Sequence, residues 1–191
     1  MSLFTKVLPG EIAYSGHELS PHWIAKQTGV FASSIVAFRG PCDVATGEMV
    51  DMEDRLQELR IEAKEMVHFL GEWFEGDLNL AIARQLLFIA GFGEILGTLL
   101  PSGLRLHRKG NDLYVLGEGE PRKLSVSIVT TTPVSSLFHF GVNVDASGAP
   151  VRAVGLNELG IDVDALVKQT LELWAREWAS MAKARCKVAA R

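Results

Sequence analysis

Cysteine is scarce in this chain. The 191 residues hold two, Cys42 and Cys186, far apart in sequence, so neither a disulfide framework nor a cysteine metal knuckle can be built, and five scattered histidines do not supply a finger spacing. Positive charge is not in excess either. Nineteen Lys+Arg stand against 23 Asp+Glu, a net charge of -4, so there is no global basic field to hold nucleic acid or an anionic membrane. The first residues, Met1 to Leu19, lack a sustained apolar run and contain Glu11 and Glu18, which argues against a signal peptide and for a cytoplasmic protein. What remains is an ordinary globular composition, 48% hydrophobic and 22% charged, of a length that suits one domain over residues 1–191.

Local signals place the elements. Ser20-Pro21 before His22 to Thr28 and Gly29 reads as a short helix with Ser as its cap and Gly as its left-handed exit. Ser34 to Phe38 is β-branched and aromatic and predicts a strand closed by Arg39-Gly40-Pro41, followed by a loop to about Asp54. Arg55 to Lys64 is mixed in charge and reads as helical or irregular, and Met66 to Phe74 as a strand. Leu78 to Leu100 is apolar enough to span a bilayer, but Arg84 and Glu94 would lie inside the span. A buried helix is the better reading, with Gly91, Gly93 and Gly97 packed close on a sheet. Short strands follow at Leu104 to Arg108, Leu113 to Leu116, Leu124 to Thr130 and Leu137 to Val144, and their short connections imply antiparallel pairing. Asp162 or Asp164 caps a last helix whose apolar positions follow the 3.6-residue period into a basic tail.

Four segments in order carry a resemblance. Arg108-Lys109-Gly110-Asn111-Asp112-Leu113 resembles the Lys-Trp-Pro-Asn-Asp-Leu segment of biotin–protein ligases, and Arg122-Lys123-Leu124-Ser125-Val126 their Arg-Lys-Leu-Ala-Gly strand. Phe140-Gly141-Val142-Asn143-Val144 is similar to their Gly-Ile-Asn strand, and Leu159 to Asp164 to the entry of their last catalytic-domain helix. Over the whole length, Ser34-Ile35-Val36, Gly40-Pro41-Cys42-Asp43-Val44, Met66-Val67-His68-Phe69 and Lys123 to Ile128 resemble domain-of-unknown-function family 366. The resemblance implies an α+β fold: a central, mainly antiparallel sheet flanked by helices, as in biotin and lipoate ligases and class II aminoacyl-tRNA synthetases.

It also implies chemistry. By resemblance, Lys123 reaches an acyl carbonyl and an adenylate phosphate, with Asp112 beside it to position the ammonium or a magnesium-bound phosphate. Strand alternation puts Lys123, Ser125, Ser127 and Val129 on one face, so the two hydroxyls join the ligand-binding set with Arg39, Asn111 and Asn143. The alternatives are a solvated lysine entering an edge strand, an Asn111-Asp112 hairpin turn and a structural amide at Asn143. Cys42 is a candidate nucleophile, because some lipoyl and octanoyl transferases of this fold use a cysteine, or else a small packed residue. His68 and His139 lie in apolar strands and read as hydrogen-bonded core or pocket residues; as a metal pair they would need Glu72 or Asp51 as a third ligand.

Two departures weigh against the ligase reading. The Gly-Arg-Gly-Arg phosphate loop of biotin ligases is replaced by an exit leading to Glu48, Asp51, Glu53 and Asp54, where Asp51, Glu53 and Asp54 are the candidate ligands of a magnesium ion brought with ATP. The glycine that admits the acyl ligand is Val126. The sequence therefore supports two functions: a ligase or acyltransferase acting on a small carboxylic acid through an acyl-adenylate, with a carrier protein as acceptor, or a non-catalytic small-molecule binder or scaffold. Neither reading calls for nucleic acid or a membrane, and both leave an oligomer open.

Overall fold

The computed structural model describes residues 2–57 and 60–189. Its elements in chain order are β1 (Phe4–Glu11), α1 (Trp23–Thr28), β2 (Ser34–Val44), α2 (Met52–Leu56), β3 (Ile61–Trp73), α3 (Leu78–Leu99), β4 (Arg105–Lys109), β5 (Asp112–Leu116), β6 (Arg122–Lys123), β7 (Ser125–Thr131), β8 (Ser136–Asp145) and α4 (Val163–Lys187). Five strands form one sheet in the order β1-β2-β3-β8-β7, and β4-β5-β6 form a second. Every neighbouring pair is antiparallel except β1 and β2. The architecture is a mixed α+β fold with a central, mainly antiparallel sheet flanked by helices.

Alternation along the central strands divides the core between the two faces of the large sheet. Ile35 and Ala37, Val67 and Phe69, and Phe138, Phe140 and Val142 face α3 and α4 and pack on Phe88, Phe92, Leu166, Leu171 and Trp174. Val36 and Phe38, and Met66 and Leu70, face the other way, under Tyr14, Ile24 and Met49. The N-terminal segment and α1 therefore roof the second face, and the candidate site lies on that side.

Several local expectations change. The helix α1 begins at Trp23 behind a left-handed His22 (φ 64°) with no side-chain cap. Instead of a Ser20 hydroxyl, the buried carboxylate of Glu72 accepts the His22 N–H, 3.0 Å from each oxygen, and also the hydroxyl of Ser135 at 2.8 Å. Arg39-Gly40-Pro41 does not close the strand; β2 runs on to Val44 through a register shift between Gly40 and Cys42. A bulge there accommodates Pro41, whose carbonyl accepts the Tyr14 N–H at 2.9 Å. The segment before Met66 is strand from Ile61 onward, and the acidic loop contains α2.

The helix α3 is long and apolar enough to cross a membrane by length and composition. Here it lies on the sheet by one face, Ala81, Gln85, Phe88, Ile89, Phe92 and Leu96, while Leu78, Leu80 and Ile82 on the other are exposed. Arg84 spends its charge on Glu75 at 2.9 Å, with its guanidinium 4.5 Å from the Trp178 ring. Of the three glycines, only Gly93 packs close on a sheet, the smaller one. A Cβ on Gly91 would meet Leu173 of α4 at 2.8 Å, one on Gly93 would meet Leu106 of β4 at 3.2 Å, and Gly97 faces open space. The cap of α4 is Asp162, whose carboxylate accepts the Ala165 N–H.

Candidate functional site

Two cavities meet at the junction of the two sheets. The larger, about 240 Å³, is bounded by Tyr14, Leu19, Val44, Met49, Ile128 and His139, with Asn111, Asp112 and the acidic loop at its edge. The smaller, about 190 Å³, is bounded by Arg60, Met66, Ser125, Asn143, Val151 and Ala153. Lys123, Val126, Asp54 and Ile61 line both. Val126, standing where biotin ligases have glycine, is thus part of the wall between the chambers.

The backbone explains how Lys123 arrives there. Gly110, at φ 62°, makes the first half of a two-residue turn that pairs Lys109 with Asp112, so Asp112 opens β5 and is not itself in the turn. Tyr114 of β5 pairs with Lys123 of β6, and Asp112 lies two residues away on the same face. The ammonium Nζ sits 2.9 Å from Asp112 Oδ2, and both side chains are about a quarter exposed. Beyond Lys123 the strand breaks at Leu124, which is fully buried in the helix-side core, and β7 restarts at Ser125.

That break overturns the expected shared face of Lys123, Ser125 and Ser127. The two hydroxyls turn toward the helix side and are consumed in the scaffold. Ser125 Oγ accepts the buried Leu113 N–H at 3.0 Å. Ser127 Oγ accepts from Gln85 Nε2 at 2.8 Å and donates to the His139 carbonyl at 3.0 Å. The side chains that face the larger cavity from β7 are Val126 and Ile128.

Asn111 lines the larger cavity while its Nδ2 donates to the Ser127 carbonyl at 2.7 Å, tying the small sheet to β7. Asn143 lies in the wall of the smaller cavity, and its Nδ2 donates to the carbonyls of Lys123 at 3.4 Å and Val154 at 3.3 Å. The chain at Ala153 bridges to Lys123, so the amide clamps the lysine backbone from behind. Lys123 thus stands between the two, with Asp112 on the side of the larger cavity and Asn143 on the side of the smaller.

Arg39 does not join them. It points to the α4 side of the sheet, where Nε and Nη2 donate to Glu65 at 2.9 and 2.6 Å and Nη1 lies 3.8 Å from Asp164. Cys42 is buried beside Tyr14, and burial together with Asp43 and Glu18 pushes its thiol up to about 12. Among the described residues no cation offsets this, so Cys42 is a buried, protonated thiol that does not fit the nucleophile expectation.

The acidic loop does reach the larger cavity through Glu48, Asp51, Glu53 and Asp54. Asp51, however, is the cap of α2, its Oδ1 accepting from the Glu53 and Asp54 N–H groups at 2.9 and 3.2 Å. Burial and the neighbouring Asp51 raise Asp54 above the usual carboxylate value, against the opposing pull of Lys123. Among the described residues, no three His, Cys, Asp or Glu side chains gather to hold a metal ion. Asp51, Glu53 and Asp54 thus do not fit a protein-bound magnesium.

In the floor of the larger cavity, sequence reasoning placed His68 and His139 as hydrogen-bonded core or pocket residues but missed Tyr14 and the pairing of the two rings. Tyr14 stacks on His139 with ring centroids 3.8 Å apart, and His139 Nε2 is 3.0 Å from His68 Nδ1. His68 Nε2 is 3.2 Å from the Gly40 carbonyl, an obligate acceptor. Burial holds His68 down to about 4 and His139 well below its ordinary value, so both rings are neutral. Glu72 is engaged by His22 and Ser135, and Asp51 by α2, so neither completes a metal set with these histidines. The signal was present in the alternation, since His68 and His139 both fall on the roofed face of adjacent strands; what the sequence lacked was their register.

Comparison with known proteins places this geometry. An uncharacterised protein of Methanocaldococcus jannaschii is 34% identical over 171 residues, 86% of this chain and 74% of that one. A protein of unknown function from Pyrococcus horikoshi superposes with a TM-score of 0.91 at 36% identity over the full length of both chains. The biotin protein ligase of Aquifex aeolicus in complex with biotin and ATP gives a TM-score of 0.53 at 17% identity, covering 92% of this chain and 68% of that one. A bipartite lipoate protein ligase of Thermoplasma acidophilum gives 0.52 at 11% identity, covering 93% and 84%. These last two show a shared fold. The match to the family described as domain of unknown function DUF366 runs over residues 3–189, and the chain belongs to that family.

Proposed function

We propose that the protein binds a small carboxylic acid and activates it as an acyl-adenylate at Lys123. The observation that carries this reading is the position of Lys123 in the wall shared by two cavities, where one ammonium can touch an acid on one side and a phosphate on the other. The acid would occupy the larger chamber and the nucleotide the smaller, beside Arg60. A carboxylate oxygen attacks the α-phosphorus of ATP, the bond to the β-phosphate bridging oxygen breaks, and pyrophosphate leaves. Lys123 stabilises the charge that spreads over the phosphoryl and carboxyl oxygens, with Asp112 holding the ammonium in place. Asn143 keeps the lysine backbone fixed, and Asn111 keeps the small sheet seated. The likeness of fold to proteins solved with biotin and ATP supports the reading. Magnesium would arrive with the nucleotide, and a carrier protein would take the acyl group. An ATP-dependent reaction of this kind suits the cytoplasm.

A non-catalytic binder is the second reading, favoured by the acidic lining and by Arg39 facing away from both cavities. ATP–pyrophosphate exchange across a panel of carboxylic acids decides between them. Lys123→Ala should slow exchange by about 100- to 1000-fold, the scale of losing one preorganised donor. Stability should change by less than about 1 kcal/mol, because the ion pair is partly exposed. Exchange that persists undiminished in Lys123→Ala rules out the assigned role. Acid binding without exchange on any member of the panel favours the binder.

A further inference from the structure

The hydrogen-bond chain beneath the larger cavity has a direction. The Gly40 carbonyl can only accept, so His68 carries its proton on Nε2, and a neutral His68 then presents Nδ1 as an acceptor. His139 must donate to it from Nε2, which leaves Nδ1 of His139 with a bare lone pair. His139 is 3% exposed and lines the cavity, and its Nδ1 makes no hydrogen bond to any described residue. Nδ1 is not among the side-chain atoms sealed from solvent without a partner, so it opens on the cavity as an acceptor, and its donor comes from whatever fills that space, water or ligand.

Charge gives an independent pointer. Glu48, Asp51, Glu53, Asp54 and Asp112 line this chamber, and among the described residues Lys123 is the one Lys or Arg that does, already paired with Asp112. These carboxylates do not assemble into a metal site. A ligand that is only an anion would add to the excess negative charge. One that also carries a positive nitrogen would offset it.

We infer that the larger cavity is built for a small acid that also bears an amine, its carboxylate at Lys123 and an N–H donated to Nδ1 of His139. This rests on the carboxylate-binding reading of Lys123 and sharpens it. The acid expected is amphoteric and compact, and differs from biotin or lipoate, whose tails carry no ammonium.

Calorimetric titration of the full chain with pentanoate, with 2-, 4- and 5-aminopentanoate, and with biotin and lipoate tests it. At least one aminopentanoate should bind ten-fold or more tightly than pentanoate. His139→Phe keeps the stacked ring and removes the acceptor, and should bring that preference below about three-fold. Glu48→Gln, a half-exposed change that leaves the floor intact, should weaken the same preference in a protein of unaltered stability. Pentanoate, biotin or lipoate binding as tightly as every aminopentanoate overturns the inference, as does a preference unchanged in both variants or binding of none of the acids. ATP–pyrophosphate exchange separates the two proposals. Exchange with biotin or lipoate and with no amine-bearing acid overturns the present inference while the adenylate reading stands; amine-selective binding without exchange supports the inference and overturns adenylate formation.

Discussion

Replacing Ser125 by Ala should cost stability and leave ligand affinity unchanged. Ser125 is 1% exposed, and its hydroxyl accepts the buried Leu113 N–H at 3.0 Å. Removing it strands a buried backbone donor at the hinge between β5 and β7. Such a group costs about 1–3 kcal/mol, with a small further term for the lost volume. At about 2 kcal/mol, a chain of this length should lose roughly 4–8 °C in Tm. Urea titration is the assay, because a lowered midpoint with an unchanged slope separates lost stability from a change in the surface exposed. The argument is refuted if Ser125→Ala melts within 1 °C of wild type, or if it keeps its stability but loses acid binding. In the second case the hydroxyl faces the ligand after all.

Gly40→Ala should be far more damaging, because its Cβ would fall 2.0 Å from the Ile12 carbonyl oxygen; loss of soluble folded protein, or a drop above about 4 kcal/mol in denaturation, is expected, and a stable variant would mean the N-terminal segment is free to shift. The histidine pair makes stability fall with acidity. Both folded-state values are depressed, so the unfolded chain binds protons first, and stability that is full above about pH 6.5 is lost as pH drops toward 4. At pH 5 the loss from His68 alone is about 2 kcal/mol, roughly 4–8 °C in Tm, and it should shrink in His68→Gln; a Tm that is flat between pH 7 and pH 5 contradicts neutral burial. Cysteine labelling with an aromatic disulfide reagent should modify Cys186 quickly and Cys42 only after unfolding, and a second fast thiol in the native protein would refute the burial of Cys42.

How far the sequence discloses this architecture depends on the range of the forces involved. The helix α3 is written in its long apolar run and α4 in its 3.6-residue period, and their starts in Asp77 and Asp162, each of which accepts an N–H of the first turn. β8 is written in its continuous apolar run. β1 is not, because Phe4–Glu11 mixes charge, Pro and Gly and becomes a strand only through its parallel partner β2. The site divides in the same way. Asp112 and Lys123 sit in motifs that the resemblance marks, whereas the orientation of Ser125 and Ser127 depends on one irregular residue, Leu124, which strand alternation cannot foresee. Arg39 illustrates the same limit. Its charge is visible in the chain, but which face of β2 it occupies is set by pairing with β3 and by Glu65.

Asp112 and Lys123 belong to the three-stranded sheet, while Val126, Ile128 and His139 belong to the five-stranded one. The larger chamber is therefore a seam between two plates. Besides the core packing, what fastens them near the site is a few polar bonds: Leu124 N–H to the Leu113 carbonyl, Leu113 N–H to Ser125, Asn111 to the Ser127 carbonyl and Asn143 to the Lys123 carbonyl. A molecule that touches Lys123 at one end and His139 at the other acts as a rivet across the joint. Occupancy should then be felt by the whole small plate, down to the 117–119 turn far from the ligand, as slower amide exchange along β4 to β6.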